Sequence, residues 1–118
     1  MRIIVIGSRL FRDKELVRDS IRQAWIDLGK PALVTIVHTG APGPEAEASI
    51  LADKMGFTLE IHDKNWENGS LAASIRNQEI IKLGADLCLI FIRNNPPALL
   101  NFSEQVKSSG IPVRIFSE

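Results

Sequence analysis

The arrangement of apolar runs along the chain constrains its fold more than any other feature. Five short runs rich in Ile, Val and Leu alternate with longer segments in which apolar residues recur at helical spacing. The runs are Ile3–Ile6, Leu33–Val37, Phe57–Ile61, Leu87–Ile92 and Ile111–Phe116. Three of them are nearly continuous, which is typical of strands buried on both faces of a parallel sheet. The last run alternates and contains a proline, which predicts an edge strand.

The segments between the runs carry signals for the beginnings and ends of helices. Asp13 is predicted to cap the first helix, and Pro44 suits the first turn of the second. The third helix is predicted over residues 70–83, and the fourth from residue 97 or 98 to residue 109. Each helix is followed by a glycine that suits the left-handed position after a helix: Gly29, Gly56, Gly84 and Gly110.

This β-α-β-α-β-α-β-α-β order predicts an α/β fold of a single domain over residues 1–118. We expect a Rossmann-like three-layer sandwich with a five-stranded, mainly parallel sheet of strand order 3-2-1-4-5. In such a sheet a ligand binds beyond the carboxyl ends of the strands, where the strand order reverses.

Composition excludes several classes of protein. The 118 residues include 14 basic and 14 acidic side chains and are 45% hydrophobic, which excludes a disordered chain and argues against a general nucleic-acid-coating protein. No run of about 18 apolar residues is present, so we expect no membrane partner. The single cysteine, Cys88, lies in the fourth run, where we expect a buried, inert thiol in a cytoplasmic protein. The sequence leaves room for a homodimer, because Trp25, Phe102 and the apolar helix faces could together form more apolar surface than one small sheet covers.

The loop after the first strand is the first candidate for ligand binding. Gly7 allows backbone N–H groups to approach a phosphate, Ser8 adds a hydroxyl donor, and Arg9 can pair with an anion through two hydrogen bonds. The alternative is a tight turn with solvated arginines.

The loop after the second strand contains Gly40, Ala41 and Gly43 immediately before a helix, which would allow a nest of N–H groups for an anion. Glu45 would repel a phosphate placed there, but it could hold a ribose hydroxyl or act as a general base. Alternatively, Glu45 only complements the helix dipole.

Further candidates follow the third and fourth strands. The segment 63–69 reaches toward the same edge of the sheet, and its Trp66 could stack on a base or pack against the cleft wall. In the third helix, Arg76, Asn77 and Gln78 are consecutive, so they cannot all face solvent while Ile75 and Ile81 face the core.

Two histidines follow strands without a second His or Cys at ligand spacing, so we predict no metal site. His38 could shuttle protons, but a hydrogen-bonded structural role is favoured.

Three of these segments form motifs in a recognisable order. The first is Gly7-Ser8-Arg9-Leu10-Phe11 followed by Asp13, the second is His38-Thr39-Gly40-Ala41-Pro42-Gly43-Pro44-Glu45, and the third joins Trp66 and Gly69 to Ala72-Ala73-Ser74-Ile75-Arg76-Asn77-Gln78. Together they resemble the YspA, or cpYpsA-related, family of the SLOG superfamily, which unites the DprA/Smf DNA-processing proteins with the LOG phosphoribohydrolases. The resemblance extends from Arg2 to about Arg114.

The resemblance implies a single Rossmann-like SLOG domain that binds a nucleotide or nucleotide-derived ligand, such as a nucleotide sugar, as a sensor or binding module, with no further cofactor. The alternatives are a phosphoribohydrolase that cleaves an N-glycosidic bond, with Glu45 as its catalytic residue, and a binder of single-stranded nucleic acid, which the balanced charge disfavours. The predicted ligand-binding residues are Gly7, Ser8, Arg9, Gly40, Ala41, Gly43, Glu45, Trp66, Arg76, Asn77 and Arg93.

The sequence departs from the family pattern at four places. Ala73-Ser74 stand where the family has Gly-Pro before Ile75. Pro42 stands where the family has arginine, and Glu45 where it has aspartate. The glycine-rich stretch after the fourth strand is replaced by residues 93–97, Arg-Asn-Asn-Pro-Pro. Because prolines donate no N–H groups, only the side chains of Arg93, Asn94 and Asn95 could hold a phosphate from that loop.

Overall fold

Five parallel strands form the centre of the computed structural model, which describes residues 1–64 and 66–118. Asn65, within the segment 63–69 singled out above, lies outside the described residues. The sheet order is β3-β2-β1-β4-β5, which confirms the predicted order. Along the chain the elements are β1 (Arg2–Gly7), α1 (Lys14–Asp27), β2 (Thr35–His38), α2 (Pro44–Met55), β3 (Thr58–Ile61), a 3-10 segment (Trp66–Leu71), α3 (Ala72–Leu83), β4 (Leu87–Ile92), α4 (Pro97–Ser108) and β5 (Val113–Ser117).

The central strands are apolar on both faces because helices cover both. In β1, Ile3 and Val5 pack in the core under α1 and α2. Ile4 and Ile6 alternate with them and pack in a second core with Phe102 of α4. This alternation explains why the first and fourth runs are continuously apolar, and it produces the three layers.

The predicted helix signals are confirmed. The carboxylate of Asp13 accepts a hydrogen bond from Leu16 N at 3.0 Å, and α2 begins at Pro44. The four glycines that follow the helices all have positive φ.

Three elements begin two residues later than the sequence interpretation places them: the third helix, the second strand and the fifth strand, which begins at Val113 and not at Ile111. The third helix begins at Ala72, two residues later than expected, because the 3-10 segment precedes it. The second strand begins at Thr35, and Leu33 is 83% exposed. The reason is register: Thr35 pairs with Arg2, where β1 begins, so the residues before Thr35 have no strand beside them.

Of the two side chains that suggested a homodimer, Phe102 is buried and Trp25 is partly buried. Phe102 is 3% exposed, and Trp25 packs against Phe57 while its indole N–H donates to Pro31 O at 3.0 Å. The homodimer therefore stays a prediction. Cys88 is fully buried, as expected, and burial raises the pKa of its thiol to about 12. Within the described ranges, no helix has both the length and the apolar character that crossing a membrane requires.

Candidate functional site

A pocket of about 260 Å³ lies at the carboxyl ends of β1 and β2, between the first turn of α2 and the helices α3 and α4. This is the end of the sheet at which the strand order predicts a ligand. Its lining residues are Ile6, Gly7, Arg9, Thr39, Ala41, Glu45, Lys64, Ala73, Arg76, Asn77, Ala98, Leu99 and Phe102.

The pocket brings together part of the predicted set of ligand-binding residues. The members that line it are Gly7, Arg9, Ala41, Glu45, Arg76 and Asn77. The members outside its lining are Ser8, Gly40, Gly43, Trp66 and Arg93.

Gly7 is required by packing. A Cβ built on Gly7 would lie 2.5 Å from Pro44 Cγ and 2.8 Å from Pro44 Cβ. The end of β1 therefore touches the first residue of α2, and this contact places Glu45, the next residue, beside the pocket. Only a residue without a side chain permits this approach.

Several backbone groups of the β1–α1 loop already form hydrogen bonds within the protein. Ser8 N donates to Phe91 O at 2.9 Å, and Phe11 N donates to Ser8 O at 3.1 Å. The Ser8 amide is therefore already paired, and this loop offers the pocket the exposed guanidinium of Arg9.

The β2–α2 loop lies directly against the first loop. Gly43 has φ +88°, and a Cβ there would be 3.1 Å from both Ser8 O and Arg9 O. The positive φ and the close backbone approach both require glycine at this position. Gly43 thus shapes the pocket by holding two loops together, although it does not line it.

Glu45 fills the anion nest predicted for this second loop. The Thr39 amide donates to Glu45 Oε1 at 2.6 Å, and the Thr39 hydroxyl donates to the same oxygen at 2.5 Å. The Ala41 amide also favours the ionised carboxylate. Because these donors are occupied by a carboxylate from the chain itself, they are not available for a phosphate.

Glu45 is also an unusual acid. It is 2% exposed, and burial raises the pKa of its carboxyl, while the hydrogen bonds from Thr39 and Ala41 and the charge of Arg76 act in the opposite direction. Burial lowers the pKa of Arg76, which still remains a cation. The pocket therefore contains a buried carboxylate and a partly desolvated guanidinium.

His38 has the structural role that the sequence analysis favoured. The Gly40 amide donates to His38 Nδ1 at 2.9 Å, so that nitrogen carries no proton, and Nε2 donates to Ser49 Oγ at 2.7 Å. Burial lowers the pKa of His38, which keeps the ring neutral. The 3.7 Å distance from His38 Nδ1 to Glu45 Oε1 therefore joins two acceptors and is not an ion pair.

Three cationic side chains from separate segments line the pocket: Arg9, Lys64 and Arg76. Arg76 Nη2 donates to Asn77 Oδ1 at 3.0 Å, which orients both side chains. Lys64, in the segment after β3, was not singled out from the sequence, although that segment was expected to reach this edge. Its Nζ lies 5.2 Å from the ring centroid of Trp66, which is 72% exposed.

The remaining wall is apolar and was missed by the sequence analysis. It consists of Ile6, Ala73, Ala98, Leu99 and Phe102, from β1, α3 and α4. Ala98 and Leu99 lie in the first turn of α4, a segment for which the sequence predicted a helix but no contact with a ligand. The signal that could have found this wall is the pair of prolines, which begins a helix at the carboxyl end of a central strand.

The β4–α4 loop contains no glycine, but two of its residues have the positive φ that glycine adopts most easily. Asn94 and Asn95 have φ of +60° and +46°, a conformation that asparagine adopts more readily than most residues. Arg93 Nη1 donates to Leu10 O at 3.1 Å and lies 3.8 Å from a carboxylate oxygen of Glu118. Arg93 thus contacts the first loop and not the pocket.

The described residues contain no group of three or more His, Cys, Asp or Glu side chains arranged to hold a metal ion.

Comparison with known proteins finds a relative that aligns with nearly the whole chain. No protein-family model matches the chain, and no solved structure matches it. The chain is similar to the curated "Gene 61 protein" of Mycobacterium phage D29, with 32% identity over 124 aligned positions that cover 99% of this chain and 97% of that protein. The similarity therefore extends over all the segments that line the pocket.

Proposed function

We propose that this chain, which belongs to the family of the Gene 61 protein of Mycobacterium phage D29, is a SLOG-type cytoplasmic module that binds a nucleotide or nucleotide-derived anion. The observation that carries the proposal is the convergence of Arg9, Lys64 and Arg76 on one pocket at the carboxyl ends of the strands. Among the described residues that line the pocket there are three cations and one carboxylate, Glu45, so the lining favours an anionic ligand over a neutral one even though the charge of Asp63 also acts on Arg76.

The two halves of the pocket suit the two halves of a nucleotide. Arg9, Lys64 and Arg76 provide the charged half, where a phosphate would be held by side chains. The apolar wall, which includes Ala98 and Leu99, suits the face of a planar base. The side chain of Asn77 and the carboxylate of Glu45, which also line the pocket, offer hydrogen bonds for ribose hydroxyls.

The size of the pocket narrows the class of ligand. At about 260 Å³ it lies just below the range of roughly 300–1,000 Å³ that is common for small-molecule sites. We therefore expect mononucleotides to bind better than dinucleotides such as NAD.

Native mass spectrometry and calorimetry test this proposal directly. The panel is AMP, GMP, CMP, UMP, ribose 5-phosphate, ADP-ribose, NAD and a cyclic dinucleotide. We expect binding of at least one mononucleotide, and a loss of about tenfold or more in Arg76→Gln, since a hydrogen bond to a charged group is worth about 1.5–3 kcal/mol. Arg114→Gln, on the far edge strand β5, is the control, because Arg114 pairs with Asp27 outside the pocket. If no member of the panel binds to the wild type, the proposal is wrong.

One observation favours a second candidate function, cleavage of an N-glycosidic bond. Glu45 combines a position in the pocket with a raised carboxyl pKa, which suits a residue that exchanges protons with a substrate or a water molecule. Oε1 accepts both hydrogen bonds from Thr39, so Oε2 is the oxygen that a catalytic role would use.

Chromatography of nucleoside monophosphates after incubation with the protein distinguishes the two functions. A hydrolase would release free base, and Glu45→Gln would abolish the release while nucleotide binding is kept within a few-fold. If the wild-type protein binds a nucleotide but releases no base from any monophosphate, the hydrolase proposal is wrong and the binding-module proposal stands.

A further inference from the structure

Two charged residues that do not line the pocket hold the loop that carries Arg9. Arg93, just after β4, donates through Nη1 to Leu10 O at 3.1 Å. The carboxylate of Glu118, just after β5, accepts from the Arg12 amide with both oxygens, at 2.8 and 3.0 Å. The two side chains also face each other, with Arg93 Nη1 3.8 Å from Glu118 Oε2.

The backbone around these contacts is anchored to the sheet. Ser8 N donates to Phe91 O at 2.9 Å, so the loop leaves β1 attached to the end of β4. Glu118 N donates to Ile92 O at 3.1 Å, so Glu118 is itself fixed beside β4. Ser8 and Leu10 are therefore hydrogen-bonded to residues at the end of β4, and Arg12 is hydrogen-bonded to the residue after β5. These hydrogen bonds lie on both sides of Arg9 along the chain.

The charges of this arrangement leave Arg9 as the cation that the loop presents to a ligand. Arg93 and Glu118 are opposite in sign and in contact, and each is largely covered, with 25% and 20% of the side chain exposed. Among residues 1–64 and 66–118, Arg9 forms no ion pair, and its side chain lines the pocket.

We infer that Arg93 and Glu118 are positioning residues, which fix the β1–α1 loop so that Arg9 points into the pocket. We call these two residues the loop clamp. The inference rests on the proposed function, because it assigns to Arg9 a contact with the anionic ligand. It also gives Arg93 a role different from the direct ligand contact expected from the sequence.

A double-mutant cycle between Arg93 and Arg9 tests the clamp. The affinity for AMP and for ADP-ribose is measured by calorimetry for the wild type, Arg93→Met, Arg9→Gln and the double variant. If Arg93 acts through Arg9, Arg93→Met should weaken binding about tenfold in the wild type, within the usual range of coupling between contacting residues. In the Arg9→Gln background the same change should weaken binding less than about twofold, because the side chain that the clamp positions is gone.

Three further variants separate positioning from general loss of structure. Glu118→Ala should reproduce the effect of Arg93→Met, since it removes the other half of the clamp. Arg93→Lys, which keeps a donor and the charge, should recover part of the affinity. Arg114→Met removes an arginine that makes a 2.8 Å ion pair with Asp27 away from this loop, so it should leave the affinity unchanged.

Equal losses in both backgrounds of the cycle would overturn the inference, because Arg93 would then contact the ligand itself or act on the whole fold. Amide hydrogen exchange provides a readout that needs no ligand: Arg93→Met and Glu118→Ala should raise exchange over residues 8–13 and leave α3 unchanged. Unchanged exchange over residues 8–13 would also overturn it. If the wild type binds neither probe, the proposed function fails, and exchange alone then decides whether the clamp orders the loop.

Discussion

Replacing Gly7 by alanine should force the first turn of α2 away from the end of β1. The added Cβ would lie 2.5 Å from Pro44 Cγ, 2.8 Å from Pro44 Cβ and 3.2 Å from Phe91 Cβ. Carbon atoms that are not bonded to each other pack about 3.5–4.0 Å apart, so Pro44 would have to withdraw by about 1 Å. The backbone of Gly7 does not have a positive φ, so this steric conflict, and not backbone strain, is the expected cause of any effect.

We expect Gly7→Ala to lower the free energy of unfolding by about 2–3 kcal/mol, the upper part of the range for overpacking a core. Urea denaturation followed by circular dichroism measures this loss. Gly7→Ala combined with Pro44→Ala should recover part of it, because the contact at 2.5 Å is removed while the contact at 2.8 Å remains. The packing argument is refuted if Gly7→Ala unfolds within about 0.5 kcal/mol of the wild type, or if Pro44→Ala costs the same in both backgrounds.

Three other predictions follow from the structure. Hydrogen bonds with Arg2, and secondly with His62, lower the pKa of Glu60 from 4.5 to about 2, so these contacts should contribute stability above pH 4.5 that is lost as the pH falls toward 2. Because a third of Glu60 remains exposed, we expect the contribution to be about 1 kcal/mol, and acid titration of Glu60→Gln should show a smaller pH dependence of stability. Ala98→Leu should fill the apolar side of the pocket and weaken nucleotide binding more than the binding of ribose 5-phosphate, with little change in Tm; equal weakening would contradict the assignment of this wall to the base. Burial raises the pKa of the Cys88 thiol to about 12, so a disulfide reagent should modify Cys88 only as fast as the protein unfolds, and rapid modification of the folded protein would contradict the packing of β4.

The fold could be predicted because the signals that encode it are local and agree with one another. The run from Leu87 to Ile92 is apolar at every position because helices cover both faces of β4, and this pattern is visible without any tertiary information. The closing glycines mark the helix ends for an equally local reason, the left-handed backbone after the last turn. The prediction that Leu33 belongs to the second strand is wrong because the start of this strand depends on where the neighbouring strand begins. That neighbour is β1, which pairs with β2 from Arg2 onward and is distant along the chain.

The sequence predicted only part of the pocket lining, because several predicted residues, such as Gly43, shape the pocket without lining it. The loops that contain Gly7 and Gly43 contribute residues to the pocket lining, but these glycines are required by contacts with Pro44 and with the backbone of Ser8 and Arg9. From the sequence alone, a glycine that allows a close backbone approach cannot be distinguished from a glycine that admits a ligand. Lys64 was missed because nothing in its neighbourhood along the chain distinguishes it from a solvated lysine.

Many anion sites bind their ligand through backbone N–H groups, but this pocket would bind an anion through side chains. The reason is the carboxylate of Glu45, which occupies backbone N–H groups beside the pocket. The amides of Thr39 and Ala41 favour the carboxylate of Glu45, and the amide of Ser8 is bonded to β4. At the other side of the pocket, α4 begins with two prolines, which donate no N–H groups. Anion recognition is therefore left to the guanidinium of Arg9 and to the other cations of the lining. Long side chains can adjust their reach where a rigid set of amides cannot, so we expect this pocket to tolerate variation in the position of the phosphate, while the fixed apolar wall determines which bases fit.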